Sequence, residues 1–436
     1  MSRAVSLLRA LQSTRMKWVL LGLVAIALCL EIVGVAEGVS YSLGHPISGT
    51  YANIPIQFVA VTSLAFPILL YLSIAMLAGA LLFGVVSPTR ATLIEEVPDL
   101  PVRQGSGRKF REYLVLALAV GIAAFLVWLP RSLQSLPIGS DTLYYMSVVD
   151  TMSREGPAWA VVYTDKPLFY IVLYGLQYLS GLSTADFFIV LPVVFAVGAT
   201  ASVWFFVDSF YKETAGYASL LTATSTSLMR TSIDLYASFF ATILLFLALG
   251  IYLGYRKGMK PGQRILLQVT FVVMLMSYWF VWALLLVMLG SAEALSKERV
   301  RRLKTLLAIG LPSIGVLGLF IAVALIRPPP MYWGLGSSFA LYLGNTITPV
   351  GPVTYTTATL DLSDLGLLQY NPVVPILAVV GLFSYRPRTF PIRTIYIWSA
   401  IMLTFSLIST TGLHAALLIP LPVLAGFGLR KLVGTR

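Results

Sequence analysis

Apolar stretches long enough, or nearly long enough, to cross a hydrocarbon core of about 30 Å recur along the chain. They lie at roughly 17–35, 55–86, 113–130, 186–207, 215–229, 235–254, 265–292, 305–326, 372–384, 394–408 and 414–429. The run 265–292 is flanked by two basic segments, Arg256 to Arg264 and Lys297 to Lys304. If both segments face one compartment, that run crosses twice, and a turn at Ser277-Tyr278-Trp279-Phe280 divides it into two short helices. The pattern predicts an all-α polytopic membrane protein of about twelve transmembrane helices with both termini cytoplasmic. The first helix, preceded by Arg3, Arg9, Arg15 and Lys17, reads as an uncleaved anchor.

Basic residues test this topology. Segments 1–17, 87–112, 208–214, 255–264, 293–304, 385–393 and 430–436, all cytoplasmic in this arrangement, hold 25 of the 30 Lys and Arg. The other five, Arg131, Arg154, Lys166, Arg230 and Arg327, fall on the outer side, where orientation gives no reason for a cation. They are therefore candidates for binding an anion, with Arg131 and Arg154 expected to be solvated or bound to headgroups. The apolar segment Pro167 to Gly181 cannot be a further span without inverting every later loop, so it is expected to be an interfacial or re-entrant helix.

The chain then divides into an N-terminal two-helix module at 1–86, a cytoplasmic linker at 87–112 rich in Pro and Gly, and a core at 113–436. That core carries two long outer loops, 131–185 and 327–371, a length that is usually functional or disordered. No internal repeat is visible, which weakens the case for a transporter built from inverted halves.

Composition closes off other classes. Of 436 residues 58% are hydrophobic and 11% charged, with mean hydropathy +0.86, so the bilayer is the solvent. The net charge of +12 is accounted for by cytoplasmic loops and needs no nucleic acid. Cys29 is the only cysteine, which leaves neither a disulfide framework nor a cysteine-based zinc site.

Candidate chemistry sits on the outer side. The first outer loop contains Gly139-Ser140-Asp141-Thr142-Leu143-Tyr144-Tyr145, followed by Asp150, Arg154 and Glu155. A carboxylate near the membrane surface can serve as general base or metal ligand, and Asp141 equally fits a helix N-cap. A five-residue outer turn, Arg230-Thr231-Ser232-Ile233-Asp234, carries a guanidinium suited to phosphate and a second carboxylate. Its bland reading is a local ion pair. Outer aromatic residues such as Tyr144, Tyr145, Trp159, Tyr163, Tyr278, Trp279, Tyr332 and Trp333 suit either stacking on a sugar or an interfacial belt. Glu31, in the first span, reads as snorkelling to the outer surface.

The succession Gly-x-Asp141-x-x-Tyr144-Tyr145, Lys166-Pro-Leu, Phe210-Tyr-Lys-Glu-Thr-Ala-Gly-Tyr-Ala218 and Arg230-x-x-x-Asp234 resembles the GT-C superfamily of lipid-dependent membrane glycosyltransferases. In motif order it is most similar to prokaryotic oligosaccharyltransferase catalytic subunits. The resemblance covers about 113–436. It implies a sugar donor linked to polyprenyl phosphate or pyrophosphate, an unknown protein or glycolipid acceptor, and surrounding membrane lipid. It implies Asp141 as catalytic base, Asp141 and Asp234 as ligands of Mg2+ or Mn2+, and Arg230, Arg327 and His414 at the lipid phosphate. Tyr144, Tyr145, Asp150 and Lys166 would contact sugar or acceptor.

Departures stand beside it. Thr142 occupies the position of a second acid found in aminoarabinose and O-mannosyl transferases, and His414 replaces an arginine before Leu417-Leu418-Ile419-Pro420. The sequence lacks a Trp-Trp-Asp motif and, by this reading, the soluble C-terminal domain that carries it. A non-catalytic accessory subunit or a transporter is the alternative. A transporter would be expected to place more ionisable groups within its spans than Glu31 and Asp186.

Overall fold

The computed structural model describes residues 106–132, 140–233, 235–256, 258–326, 373–385, 387, 389–408 and 418–433. The N-terminal module, most of the linker, the outer loop 327–371, and Asp234, Arg327 and His414 lie outside these residues. Among the described residues there is no strand. The helices, in chain order, are α1 Ser106–Ser132, α2 Ser140–Glu155, α3 Ala158–Tyr163, α4 Pro167–Ser180, α5 Thr184–Asp208, α6 Lys212–Ala223 and α7 Thr226–Ile233. There follow α8 Tyr236–Tyr255, α9 Pro261–Ser277, α10 Trp279–Ala294, α11 Arg299–Ile326, α12 Val373–Ser384, α13 Phe390–Ile408 and α14 Leu421–Val433.

Three stretches among the described residues are long and apolar enough to cross a membrane: Thr184–Asp208, Tyr236–Gly254 and Arg299–Ala322. The last is the least buried within the protein, and Leu307, Leu311 and Leu319 on it are exposed apolar side chains. Leu114, Leu118 and Phe125 on α1 are exposed in the same way. A water-soluble surface would not bear such rows, whereas hydrocarbon solvates them, so this is a membrane protein.

Run 265–292 divides as its flanking charges require. α9 ends at Ser277 and α10 begins at Trp279, with Tyr278 extended between them (φ −163, ψ 91). Segment 131–185, expected to be a loop around one helix, is instead mostly helical, forming α2, α3 and α4. α4 has 14 residues, about 21 Å at 1.5 Å per residue and short of a span. It begins at Pro167, whose missing N–H costs a first turn nothing. It stops at Gly181, whose left-handed φ of 66 closes the last turn. The run 215–229 departs from expectation, because it breaks at Thr224-Ser225. The Ser225 hydroxyl accepts from the Leu228 N–H at 3.2 Å and starts a new helix, α7. Arg230 therefore lies inside α7, and residues 230–233 are its last turn rather than a free turn.

Two apolar cores share this bundle. One joins α5, α6 and α8 through α14. The other joins α1 through α8, with aromatic residues from α2, α4, α5 and α8, and Tyr278 packs against both. α12 and α14 touch backbone to backbone at Gly381 and Gly428, where a Cβ on either would overlap the carbonyl of Leu424 or Leu377. Small residues permit such close approach in membranes.

The basic segments gather at one end. Two nitrogens of the Arg256 guanidinium, Nε and NH2, donate to Glu293 at 2.6 Å, and the Tyr252 hydroxyl donates at 2.8 Å to the same fully buried carboxylate. These bonds to Glu293 outweigh burial and hold the Arg256 guanidinium above its usual pKa. Arg302 donates to the Arg256 carbonyl, Arg393 to the Leu295 carbonyl at 2.8 Å, Arg430 pairs with Glu213, and the rings of Tyr211 and Tyr385 meet at 5.9 Å. Segments 208–214, 255–264, 293–304, 385–393 and the end of α14 thus form one connected surface.

A candidate active site at the helix starts

The opposite set of helix ends carries the candidate site. Asp141 is the second residue of α2, and its neighbour Thr142 is buried, with its hydroxyl 2.9 Å from that of Tyr236. Tyr236 is the first residue of α8 and follows Asp234 by two positions. One hydrogen bond between residues 94 apart therefore ties the start of α2 to the start of α8. Helix starts carry the positive end of the peptide dipole, which favours carboxylates and anions. Thr142 is thus a clamp between the two elements.

Around this junction Tyr145 packs against Tyr236 (5.3 Å), Phe169 (5.7 Å) and Tyr170 (5.9 Å), while Tyr144 meets Tyr170 edge-on at 6.4 Å. Tyr145 is buried in the aromatic core and Tyr144 is 48% exposed, so Tyr144 alone of the pair offers a ring to a ligand. Lys166, just before α4, pairs with Asp165 at 3.1 Å. Burial opposes the Lys166 charge, but Asp165 and the phenols of Tyr145 and Tyr278 outweigh it and raise the ammonium above its usual pKa. Burial, with Tyr145, Tyr144 and Asp165 nearby, raises the phenol of Tyr170 well above its usual value.

Asp150 does not join this group. It lies nine residues along α2 from Asp141, about 13 Å at the helical rise, and accepts from the Thr184 hydroxyl at 2.7 Å. That bond ties α2 to the start of α5. Arg154 is exposed, as expected for a solvated cation, and donates to the Asp150 carbonyl at 3.3 Å. Arg131 reverses its expectation. It is 1% exposed, its NH1 donates to the Val127 carbonyl at 2.8 Å, and its NH2 donates to the Ser232 carbonyl at 2.6 Å. The junction of α1, α2, α7 and α8, with α4 against it, places Asp141, the helix bearing Arg230 and the Lys166 pair at one end of the bundle.

The fold is similar to that of an archaeal oligosaccharyltransferase. The Archaeoglobus fulgidus enzyme in its apo form matches with TM-score 0.52 and 14% identity over 75% of this chain and 51% of that one. The same enzyme, AglB, in complex with an inhibitory peptide and a dolichol-phosphate matches with TM-score 0.51 and 14% identity over 76% and 53%. This chain therefore spans about half the length of the solved oligosaccharyltransferases. By sequence the chain matches no family model and no curated protein.

Among the described residues no three His, Cys, Asp or Glu side chains cluster as metal ligands. The oligosaccharyltransferase structure that contains Zn and sulfate shows a cation with that relative. Here the expected donors are the carboxylates of Asp141 and Asp234, hard oxygen ligands of the kind Mg2+ or Mn2+ takes. Sequence reading missed Asp165, Tyr170 and Tyr236. Of these only Tyr236 carried a signal, its position two residues after Asp234.

Proposed function

We propose that this protein is an inverting membrane glycosyltransferase. It takes a sugar from a polyprenyl-phosphate or polyprenyl-pyrophosphate donor and transfers it to an acceptor on the outer face. The observation that carries the reading is the Thr142 to Tyr236 hydrogen bond, which brings the helix bearing Asp141 to the start of α8 just after Asp234. The oligosaccharyltransferase-like fold supports it, as do the outer cations that orientation leaves unexplained.

In this mechanism an acceptor nucleophile attacks the anomeric carbon, the bond from that carbon to the lipid phosphate oxygen breaks, and the phosphate leaves with the lipid. Asp141 takes the acceptor proton. Arg230, with Arg327 and His414, offsets the charge that grows on the departing phosphate. Tyr144 and Lys166 orient sugar or acceptor beside the helix starts. A divalent cation held by Asp141 and Asp234 would supply Lewis-acid stabilisation of the same leaving group.

Binding of a polyprenyl-phosphate donor to purified protein in nanodiscs, at one salt concentration, tests the phosphate site. Arg230→Ala is expected to weaken binding by about 2–4 kcal/mol, the scale of a desolvated charge-assisted contact. Arg230→Lys keeps the charge but loses the planar fork, and is expected to fall between Ala and wild type. Equal binding by wild type and Arg230→Ala removes the phosphate role.

A further inference from the structure

Arg131 stands in the last turn of α1, on the side where the positive-inside rule supplies no reason for a cation, and it is 1% exposed. Burying a guanidinium is costly unless its N–H groups meet acceptors. Its two amino groups meet carbonyls of two different helices. NH1 donates to Val127 in the last turns of α1 at 2.8 Å, and NH2 donates to Ser232 in the last turn of α7 at 2.6 Å. The Ser232 carbonyl is among the last four of α7, which have no partner within the helix and carry the negative end of the dipole. One planar cation therefore ties that end to the last turns of its own helix, α1.

α7 depends on contacts of this kind. It has eight residues and is separated from α6 by the break at Thr224-Ser225, so its own length does little to fix its far end. Ser232, which Arg131 holds, lies two residues after Arg230 and two before Asp234. We propose that Arg131 is a positioning residue, which clamps the last turn of α7 onto α1 and so sets where the helix bearing Arg230 stands relative to the start of α2. The inference deepens the glycosyltransferase reading and rests on it for its consequence, but the clamp itself is measurable without activity.

The test uses a Cys29→Ser background with one reporter at a time. Thr231→Cys, beside the clamped carbonyl, and Thr164→Cys, before α4, replace residues that are 8% and 1% exposed. Both are alkylated with a membrane-impermeant maleimide. Arg131→Gln is expected to speed alkylation at 231 by at least ~10-fold, as local opening of one short element would, and to leave the rate at 164 unchanged. Arg131→Lys, which keeps the charge but cannot bridge two carbonyls in a plane, is expected to act in the same direction. Donor binding by the cysteine-free Arg131 variants is expected to fall with the clamp, with Arg131→Lys failing to restore it. An unchanged rate at 231 overturns the proposal, and so does an equal rise at both reporters, which would mean general loosening. If wild type binds no polyprenyl-phosphate donor, the glycosyltransferase reading falls, and the ratio of the two alkylation rates still decides whether Arg131 holds α7.

Discussion

At the scale of residues, the side chains that organise the candidate-site end are hydrogen-bonding groups with distant partners. Thr142 bonds Tyr236, and Arg131 bonds a carbonyl 101 residues away. Neither pairing could be read from local spacing, which explains why Arg131 looked like a solvated cation and Thr142 only like a missing acid. Asp141 stood out as a candidate through motif order, and Arg230 through the count of basic residues as well. Asp165 was not, since an acid next to Lys166 reads as a surface pair. The Thr142 to Tyr236 clamp makes a quantitative prediction. Thr142→Val and Tyr236→Phe each remove one side of this bond, and a double-mutant cycle on unfolding in detergent is expected to show coupling of about 1 kcal/mol. Additive effects would mean that the two hydroxyls do not bond.

At the scale of elements, the break at Tyr278 was legible because two basic segments on either side of one apolar run, if on one side of a membrane, require the run to turn back. The break at Thr224-Ser225 was not, because small hydroxyl residues continue an apolar run as readily as they cap a new helix. α3 was also hidden, and α2 showed only in the N-cap reading of Asp141, since short helices lack the length of a span. At the other end, Glu293 holds α8, α10 and the loop after α8 together through Arg256 and Tyr252. Glu293→Gln leaves Arg256 without its carboxylate and is expected to cost about 3 kcal/mol of stability, the low end for a broken buried pair because Arg256 is 19% exposed. Denaturant unfolding in detergent measures it, and a loss within experimental scatter of zero would show the pair to be incidental.

At the scale of the whole molecule, the sequence partitions basic from non-basic loops, and contacts in the structure connect the described basic segments to one another. Arg256 with Glu293, Arg393 with Leu295, and Arg430 with Glu213 lie at one end. Thr142 with Tyr236 and Arg131 with Ser232 lie at the other. In a Cys29→Ser protein, Cys at Ser183 or Thr354 is expected to react with an impermeant thiol reagent from outside, and Cys at Gly258 or Ser296 is not. External labelling at 258 would invert the orientation and move the candidate site to the cytoplasmic face.

The central claim is transfer chemistry at Asp141, and the most direct measurement follows a labelled sugar. Purified protein in nanodiscs would be given a polyprenyl-phosphate donor carrying radiolabelled sugar, together with membrane and protein fractions as acceptors. Label leaving the lipid and appearing in a second product would be compared between wild type and Asp141→Asn. That variant keeps size and hydrogen bonding but removes the charge. The account predicts transfer by wild type and a rate at least ~10²-fold lower for Asp141→Asn, the scale of a positioned base, with both proteins equally folded. Transfer at the same rate by the two proteins would contradict it and leave Asp141 as the start of a helix and nothing more.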